Sequence, residues 1–196
     1  MANLIDLEDY KDAKNILNTK DDTRLNLLVT SVSQLVKTYC GNSIVDYYSS
    51  AITETINVTW DTHVIQLTEG PVVSITTVKE RDSYAGAYKT LTTGAFEYYL
   101  DTTTDSLLRT TGATNFCNWR KGPGAVEVTY TAGYASCPAD LKLAVIDLVT
   151  YYFKDEHKTR QTMAGASIQN SGSTSQRNNV AFPDHIKRVL DLYKNF

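Results

Sequence analysis

The stretch Val126-Glu127-Val128-Thr129-Tyr130-Thr131-Ala132-Gly133-Tyr134-Ala135-Ser136-Cys137-Pro138-Ala139-Asp140-Leu141-Lys142-Leu143-Ala144 changes its apolar period in mid-course. Val126, Val128 and Tyr130 alternate with polar neighbours, the period-two pattern of a half-buried strand. Pro138 suits a first helical turn, and Leu141, Ala144, Val145, Leu148, Tyr152 and Phe153 then mark one face of a helix. Lys154 and Lys158 lie near its far end, where cations complement the helix dipole. Strand gives way to helix at this junction.

Upstream, from Ile52 to Thr131, the chain is rich in Thr, Val, Ile and Tyr, residues that fit a pleated surface. Ile56, Val58 and Trp60 alternate, Val64, Ile65 and Leu67 follow, and Val73, Ile75 and Thr77 alternate again. Phe96, Tyr98 and Leu100 form another such run. Gly70-Pro71, Gly86, Gly94, Gly112 and Gly122-Pro123-Gly124 punctuate them as turns, the last read as a hairpin turn. No helical period interrupts these runs, which disfavours a parallel βαβ sheet.

The N-terminal third is helical. Leu25, Leu28, Val29, Val32, Leu35, Val36 and Tyr39 make a continuous stripe between Asp22 and Tyr39, with Asp21 or Asp22 as cap and Gly41 at the left-handed end position. A looser stripe of Leu7, Tyr10, Ala13, Ile16 and Leu17 predicts a shorter helix over about 6–18, paired with the next as a helical hairpin. Beyond residue 160 the chain turns polar until Pro183, which opens a last helix with Ile186, Val189, Leu190 and Tyr193 on one side. The expected fold is α+β. A helical bundle, made of the N-terminal helix pair and two C-terminal helices, carries an inserted antiparallel β unit of about five to seven strands. The expected boundaries are 1–50 and 132–196 for the helical domain, 51–131 for the β unit and 161–181 for a flexible polar loop.

Composition bounds the function. Of 196 residues, 42% are hydrophobic and 21% charged, which is ordinary globular usage rather than disorder. Apolar runs fall far short of the roughly 20 residues that cross a bilayer. The opening residues, through Asp6, show no basic or apolar leader segment, so no signal peptide is expected. The Asn57-Val58-Thr59 sequon then has no consequence. Net charge is −3, whereas tight general nucleic-acid binding draws on a basic surface.

Chemistry-bearing residues are scattered. Cys40, Cys117 and Cys137 are far apart and odd in number, which reads as three reduced thiols. Neither they nor His63, His157 and His185 show a metal-ligand spacing. Asp155-Glu156-His157 and the Asp61/His63 pair could in principle do acid–base work, but read as solvated helix-end and strand-edge groups. Lys121 before Gly122-Pro123-Gly124 lacks the phosphate-loop spacing. Asn118-Trp119-Arg120-Lys121 could grip a nucleic-acid backbone, but reads better as a packed indole beside two solvated cations. No catalytic residue, metal or cofactor is expected.

The thirteen tyrosines point instead to binding. The pairs Tyr47-Tyr48, Tyr98-Tyr99 and Tyr151-Tyr152 expose one ring each wherever the other is buried, and Tyr is enriched at interfaces. Tyr48 and Tyr151 are the contact candidates. Ordering the polar segment Gln161 to Ala181 would cost on the order of 20 kcal/mol in backbone entropy. Met163, Ile168 and Val180 offer only about 2 kcal/mol each on burial. The segment is therefore expected to be mobile alone and ordered by a partner. Arg160, Gln169, Asn170, Arg177 and Asn178 would supply its donors.

Four patches resemble the head–tail connector (adaptor, or head-completion) proteins of tailed bacteriophages. They are Tyr39-Cys40-Gly41-Asn42, Gly70-Pro71-Val72-Val73-Ser74-Ile75, the Val126–Ala144 junction with its Ala-Gly-Tyr and Pro-x-Asp-Leu-Lys-x-Ala runs, and Phe182-Pro183 with Leu190 to Lys194. The family often has Arg after Tyr-Cys-Gly, where this chain has Asn42. The resemblance implies a non-enzymatic homo-oligomeric ring of about twelve copies in the virion neck, assembled in the host cytoplasm. Its implied partners are the portal protein and the next neck or tail protein, with genomic DNA passing through the ring without specific binding and no membrane involved. The 161–181 loop is then the expected portal-docking element. A carbohydrate- or protein-binding β module in a tail or cell-surface assembly is the alternative.

Overall fold

A computed structural model describes residues 2–154 and 182–194. Two compact units result, one from the described residues up to Asn42 and from Ser136 onward, the other from Ser43–Ala135.

The helical unit contains α1 (Leu7–Lys14), α2 (Asp22–Cys40), α3 (Ala139–Phe153) and α4 (Asp184–Asp191). Helix α1 is shorter than the 6–18 expected. Asn15 adopts a left-handed conformation (φ 52°) and ends it, leaving Leu17 91% exposed. The buried apolar residues of this segment are Leu4 and Ile5, ahead of the helix, and Tyr10 within it. Helix α2 follows its stripe. Leu25, Val29, Val32, Val36 and Cys40 are buried, and Gly41, at φ 67°, donates its amide to Lys37 O at 3.0 Å. Such a position is cheap for glycine because it has no Cβ to clash.

Helix α3 buries Leu141, Val145, Leu148 and Val149, and it packs against α2 and α4. Truncating one such side chain to Ala would cost about 2–5 kcal/mol through lost burial and the cavity left behind. Ion pairs join the helices at their margins, Lys11 to Asp22 at 2.9 Å and Lys142 to Asp9 at 2.7 Å. Helix α4 buries Ile186 and Leu190 and is held by two tyrosine hydroxyls. Tyr39 donates to Asp191 and Tyr193 donates to Asp140, each at 2.6 Å.

The second unit contains β1 (Ile52–Val58), β2 (Val64–Gln66), β3 (Val72–Glu80), β4 (Lys89–Leu91), β5 (Tyr98–Asp101), β6 (Ser106–Thr111), β7 (Asn115–Phe116) and β8 (Gly122–Ala132). They form two antiparallel sheets, β1-β8-β3-β4 and β2-β6-β5, with β7 added to β6. Eight strands exceed the five to seven expected. The additions β4 and β7 have three and two residues, too few to show a period of their own. Residues 43–50 also belong here rather than with the helices. Tyr134 N donates to Ile44 O at 2.8 Å and Ala132 N to Tyr47 O at 3.0 Å.

One core lies between the sheets, built from Val58, Ile65, Leu67, Val78, Leu107, Trp119, Val126, Val128 and Tyr130 among others. Strand β8 runs through the larger sheet, its Tyr130 opposite both Ile52 and Ile75. Three expectations shift here. Gly122-Pro123-Gly124 is the start of β8 and not a hairpin turn. Gly124, at φ 57°, sits in a register irregularity opposite the end of β1. Irregularities between Val72 and Ser74 and between Ile75 and Thr77 reset the alternation of β3, so Val72 and Val78 are buried while Val73 is exposed. Strand β1 ends at Val58, and Trp60 is 72% exposed rather than third in an inward row.

Candidate assembly surface

The two sheets differ on the faces turned away from their shared core. On the larger sheet that face is polar: Thr53 and Thr129 hydroxyls bond at 2.9 Å, Ser74 and Thr131 at 2.8 Å, and Lys79 meets Glu127 at 2.7 Å. This is the ordinary pattern of an antiparallel sheet with one face in water.

The smaller sheet departs from it. Ile65 and Leu107 lie in the core with Leu100 packed against them, so by alternation Val64, Leu108 and Tyr99 point the other way. Register places Leu108 opposite both Val64 and Tyr99, making one apolar row across three strands. The next outward position pairs Thr110 with Phe116. Tyr99 and Phe116 are 60% and 61% exposed. The His63 ring lies 5.1 Å from that of Phe116, and Phe96, also exposed, accepts the Thr110 hydroxyl on its carbonyl at 2.7 Å. At the β2 side, Trp60 and Val64 line a groove of about 190 Å³ with Ile56, Val58 and Asn57.

The face is rigidly backed. Trp119 is buried and donates its amide to Thr62 O at 2.9 Å and its indole N–H to His63 O at 3.1 Å, which fixes the loop carrying Trp60. Arg109 lies over the Trp119 ring at 5.8 Å. Cations around the face are matched: Lys121 meets Asp61 at 3.1 Å and Lys89 meets Glu97 at 3.3 Å. The Thr92 amide, and then Lys89, hold the Glu97 carboxyl below the usual carboxylate range.

The residues singled out by sequence fall as follows. Trp119 is packed, and Arg120 and Lys121 are exposed beside Asp82 and Asp61, so their charges are already countered. Asp61 and His63 diverge, one toward Lys121 and the other toward Phe116. Tyr48 is 42% exposed. Tyr151 and Tyr152 are both half-buried and stack edge to face at 5.6 Å, so neither ring is cleanly outward. The Tyr98-Tyr99 pair does split, with Tyr98 against the core and Tyr99 exposed. Arg160, Gln169, Asn170, Arg177 and Asn178 lie outside the described residues, as do Asp155, Glu156 and His157.

Cys40, Cys117 and Cys137 are free thiols. Burial pushes Cys40 and Cys137 up to about 11, so neither is a thiolate at neutral pH. Among the described residues no three His, Cys, Asp or Glu side chains group as a metal site, and no helix is long and apolar enough to cross a membrane. Sequence reading missed Trp60 and Phe116 as surface residues. The doubled tyrosine at 98–99 was the one legible sign of this face.

Comparison with known proteins gives a consistent result. A family model described as "Head completion protein" matches residues 3–196. The head completion protein of Escherichia phage T5 is 29% identical over 72 residues, 36% of this chain; the matched stretch spans only 39% of that relative's length. Among solved structures, a chain from the neck of an empty gene transfer agent particle superposes with a TM-score of 0.61 at 15% identity. That match covers 98% of this chain and 90% of the other. A chain from the neck of the native particle, computed with C12 symmetry, gives 0.56 at 15% identity over 100% and 94% of the two chains. At these identities the structural matches establish a shared fold.

Proposed function

This chain belongs to the head completion protein family, and on that premise we propose that it forms a ring beneath the portal of a tailed phage. The family is one of structural phage proteins, not enzymes. In the proposed role the ring extends the DNA channel and joins the filled head to neck or tail components, after assembly in the host cytoplasm. Its partners are further copies of itself, the portal protein and the next protein of the neck. The observation that carries this reading is the family match over residues 3–196, and an exposed aromatic sheet face suited to protein contacts supports it.

A copy number of twelve is supported by the C12 symmetry of the neck whose chain shares this fold. Twelve subunits at −3 each would carry about −36, and a predominantly acidic ring lets DNA slide without sticking. The loop over 161–181, with Arg160, Gln169, Asn170, Arg177 and Asn178, is the proposed portal-docking element. Repetition around a ring would make its weak contacts cooperative. Tyr48 and Tyr151 remain proposed as lateral anchors. The alternative is a carbohydrate- or protein-binding β module, and a carbohydrate would use the Trp60 groove. There, however, Asn57 Oδ1 already accepts the Gly124 amide, and Gln66 Nε2 already donates to Thr104 O.

The test is attachment. Replacing 161–181 with a short Gly-Ser linker should spare solubility and helix content but abolish retention on portal-bearing heads. Wild-type retention of that variant would move the docking surface elsewhere. Absence of the unaltered chain from purified particles would overturn the neck role itself.

A further inference from the structure

We propose that the open edge of β1 receives an extended, uncharged segment of a different polypeptide, paired with it as an added strand of the larger sheet. The proposal goes beyond the ring reading above and takes from it only the exclusion of a self-paired dimer.

Backbone bonding is the first argument. Strand β1 stands at one end of the order β1-β8-β3-β4. Among the described residues its backbone groups bond to β8 alone, which leaves the N–H and C=O groups of its other side unpaired within the chain. Its seven residues make an edge of about 24 Å, the length of an ordinary strand. Pairing with β8 is regular from Ile52 to Ile56, so the row of donors and acceptors is unbroken there. The ligand that matches such a row is another extended backbone.

The missing protection is the second. Exposed edges are ordinarily blunted by short strands, by bulges, or by Lys and Pro. The other edges of this unit follow that practice. Strands β2, β4, β5 and β7 have two to four residues. The part of β3 beyond the reach of β4 carries two register irregularities, and its Val72 amide is spent on Asp105 Oδ1 at 2.8 Å. Strand β1 is long and contains no Lys, Arg or Pro. Its one charged side chain, Glu54, is tied down by the Tyr130 hydroxyl at 2.8 Å and the Thr68 amide at 3.1 Å.

The side chains beside the edge state the chemistry of the partner. By alternation Thr53, Thr55 and Asn57 share the outer face, exposed and uncharged, so no charge is asked of a neighbouring strand. The groove of about 190 Å³ at the end of β1 is lined by β1, β2 and the chain between them. No residue of β8 lines it, which places it on the open side of β1. Ile56, Val58, Trp60 and Val64 make it a seat for an apolar side chain of the added strand. Main-chain bonds then supply affinity and the groove supplies selection.

A second copy of this chain does not meet these terms. Pairing β1 with β1 of another copy is a two-fold contact, which stops at a dimer. A contact that continues around a ring needs a second long, regular edge, and the described residues hold none.

Amide exchange read by mass spectrometry, on the isolated chain and on purified particles, tests this. Peptides covering 52–58 should exchange about tenfold more slowly in particles. Thr55→Lys puts a charge in the middle of the edge and should return that exchange to the isolated rate at an unchanged thermal melt. Thr55→Val keeps the branched shape and should retain the protection. p-Benzoylphenylalanine at Thr55 should crosslink in particles to a segment of a different virion protein. Particles that hold the chain with exchange over 52–58 unchanged would overturn the proposal and leave the neck role standing. Protection that survives Thr55→Lys would overturn strand pairing, and a crosslinked peptide from a second copy of this chain would overturn the choice of partner.

Discussion

Glu80 Oε2 lies 3.0 Å from Arg109 Nη2, an ion pair that joins β3 of the larger sheet to β6 of the smaller one inside the β unit. Their side chains are only 7% and 13% exposed. Neither charge is left over: Glu80 Oε1 accepts the Arg120 amide at 2.8 Å, and Arg109 Nη1 donates to the carbonyls of Glu97 and Thr110 at 2.7 and 2.8 Å. The pair sits directly behind the aromatic face, since the neighbours of Arg109 along β6, Leu108 and Thr110, are the ones that point outward.

Breaking this pair from one side should be severe. Glu80→Ala strands a buried guanidinium, for which about 3–5 kcal/mol is the usual cost. Combining Glu80→Leu with Arg109→Met replaces both charges by apolar groups and should recover most of that loss. Urea unfolding of the single and double variants checks the difference.

Two glycines should respond in opposite directions to alanine. Gly133 has φ 94° and donates its amide to Pro71 O at 2.8 Å, and a Cβ there would run into the Ile44 carbonyl oxygen. Gly133→Ala should cost more than about 1 kcal/mol, because strain adds to the clash. A Cβ on Gly94 meets nothing within 4 Å. Gly94→Ala should be neutral or stabilising by up to about 1 kcal/mol through reduced unfolded-state entropy. Thermal melts of the two variants separate the cases.

The Asp9–Lys142 pair predicts a mild acid dependence in the helical unit. The Lys142 ammonium, then the Asp6 amide, hold the Asp9 carboxyl below its ordinary 3.8. A lowered carboxylate stabilises the fold above 3.8, and that contribution disappears as pH falls through the depressed value. Asp9→Asn should therefore lower stability near neutral pH by less than about 1 kcal/mol, given how exposed the pair is. The gap from wild type should close in strong acid, as read by urea midpoints across the acid range.

Tyr39 should govern the docking of α4. Its ring meets Phe182 edge-on at 5.1 Å and lies under Lys194 at 5.0 Å, so Tyr39→Phe keeps the packing and loses the bond to Asp191. The expected cost is about 0.5–1.5 kcal/mol, seen as faster amide exchange in α4 with α2 unchanged. Burial, then the Asp191 acceptor, push the Tyr39 hydroxyl up to about 12. The neutral phenol thus stabilises the fold below 10, and the contribution fades as pH rises through about 12. The Phe variant should lack that alkaline loss.

Much of the architecture was legible from residue order. The α2 stripe with Gly41, the switch from alternation to helical period across Gly133, and the closing helix after Pro183 were each written in local periodicity, and the structure follows them. Legibility failed where irregular backbone reset the period. The irregularities in β3 turned Val73 outward, and the left-handed Asn15 cut α1 short of Leu17.

The aromatic face was hidden for a related reason. Tyr99, Leu108, Val64 and Phe116 come from four separate strands, and no short window of sequence contains more than one of them. Local sequence determined element type, class and the presence of a long β unit, because helix and strand periods are properties of neighbouring residues. Only the tertiary structure decided which side of each strand met the core, since that depends on pairing register. A one-residue shift in register exchanges the buried and exposed sets.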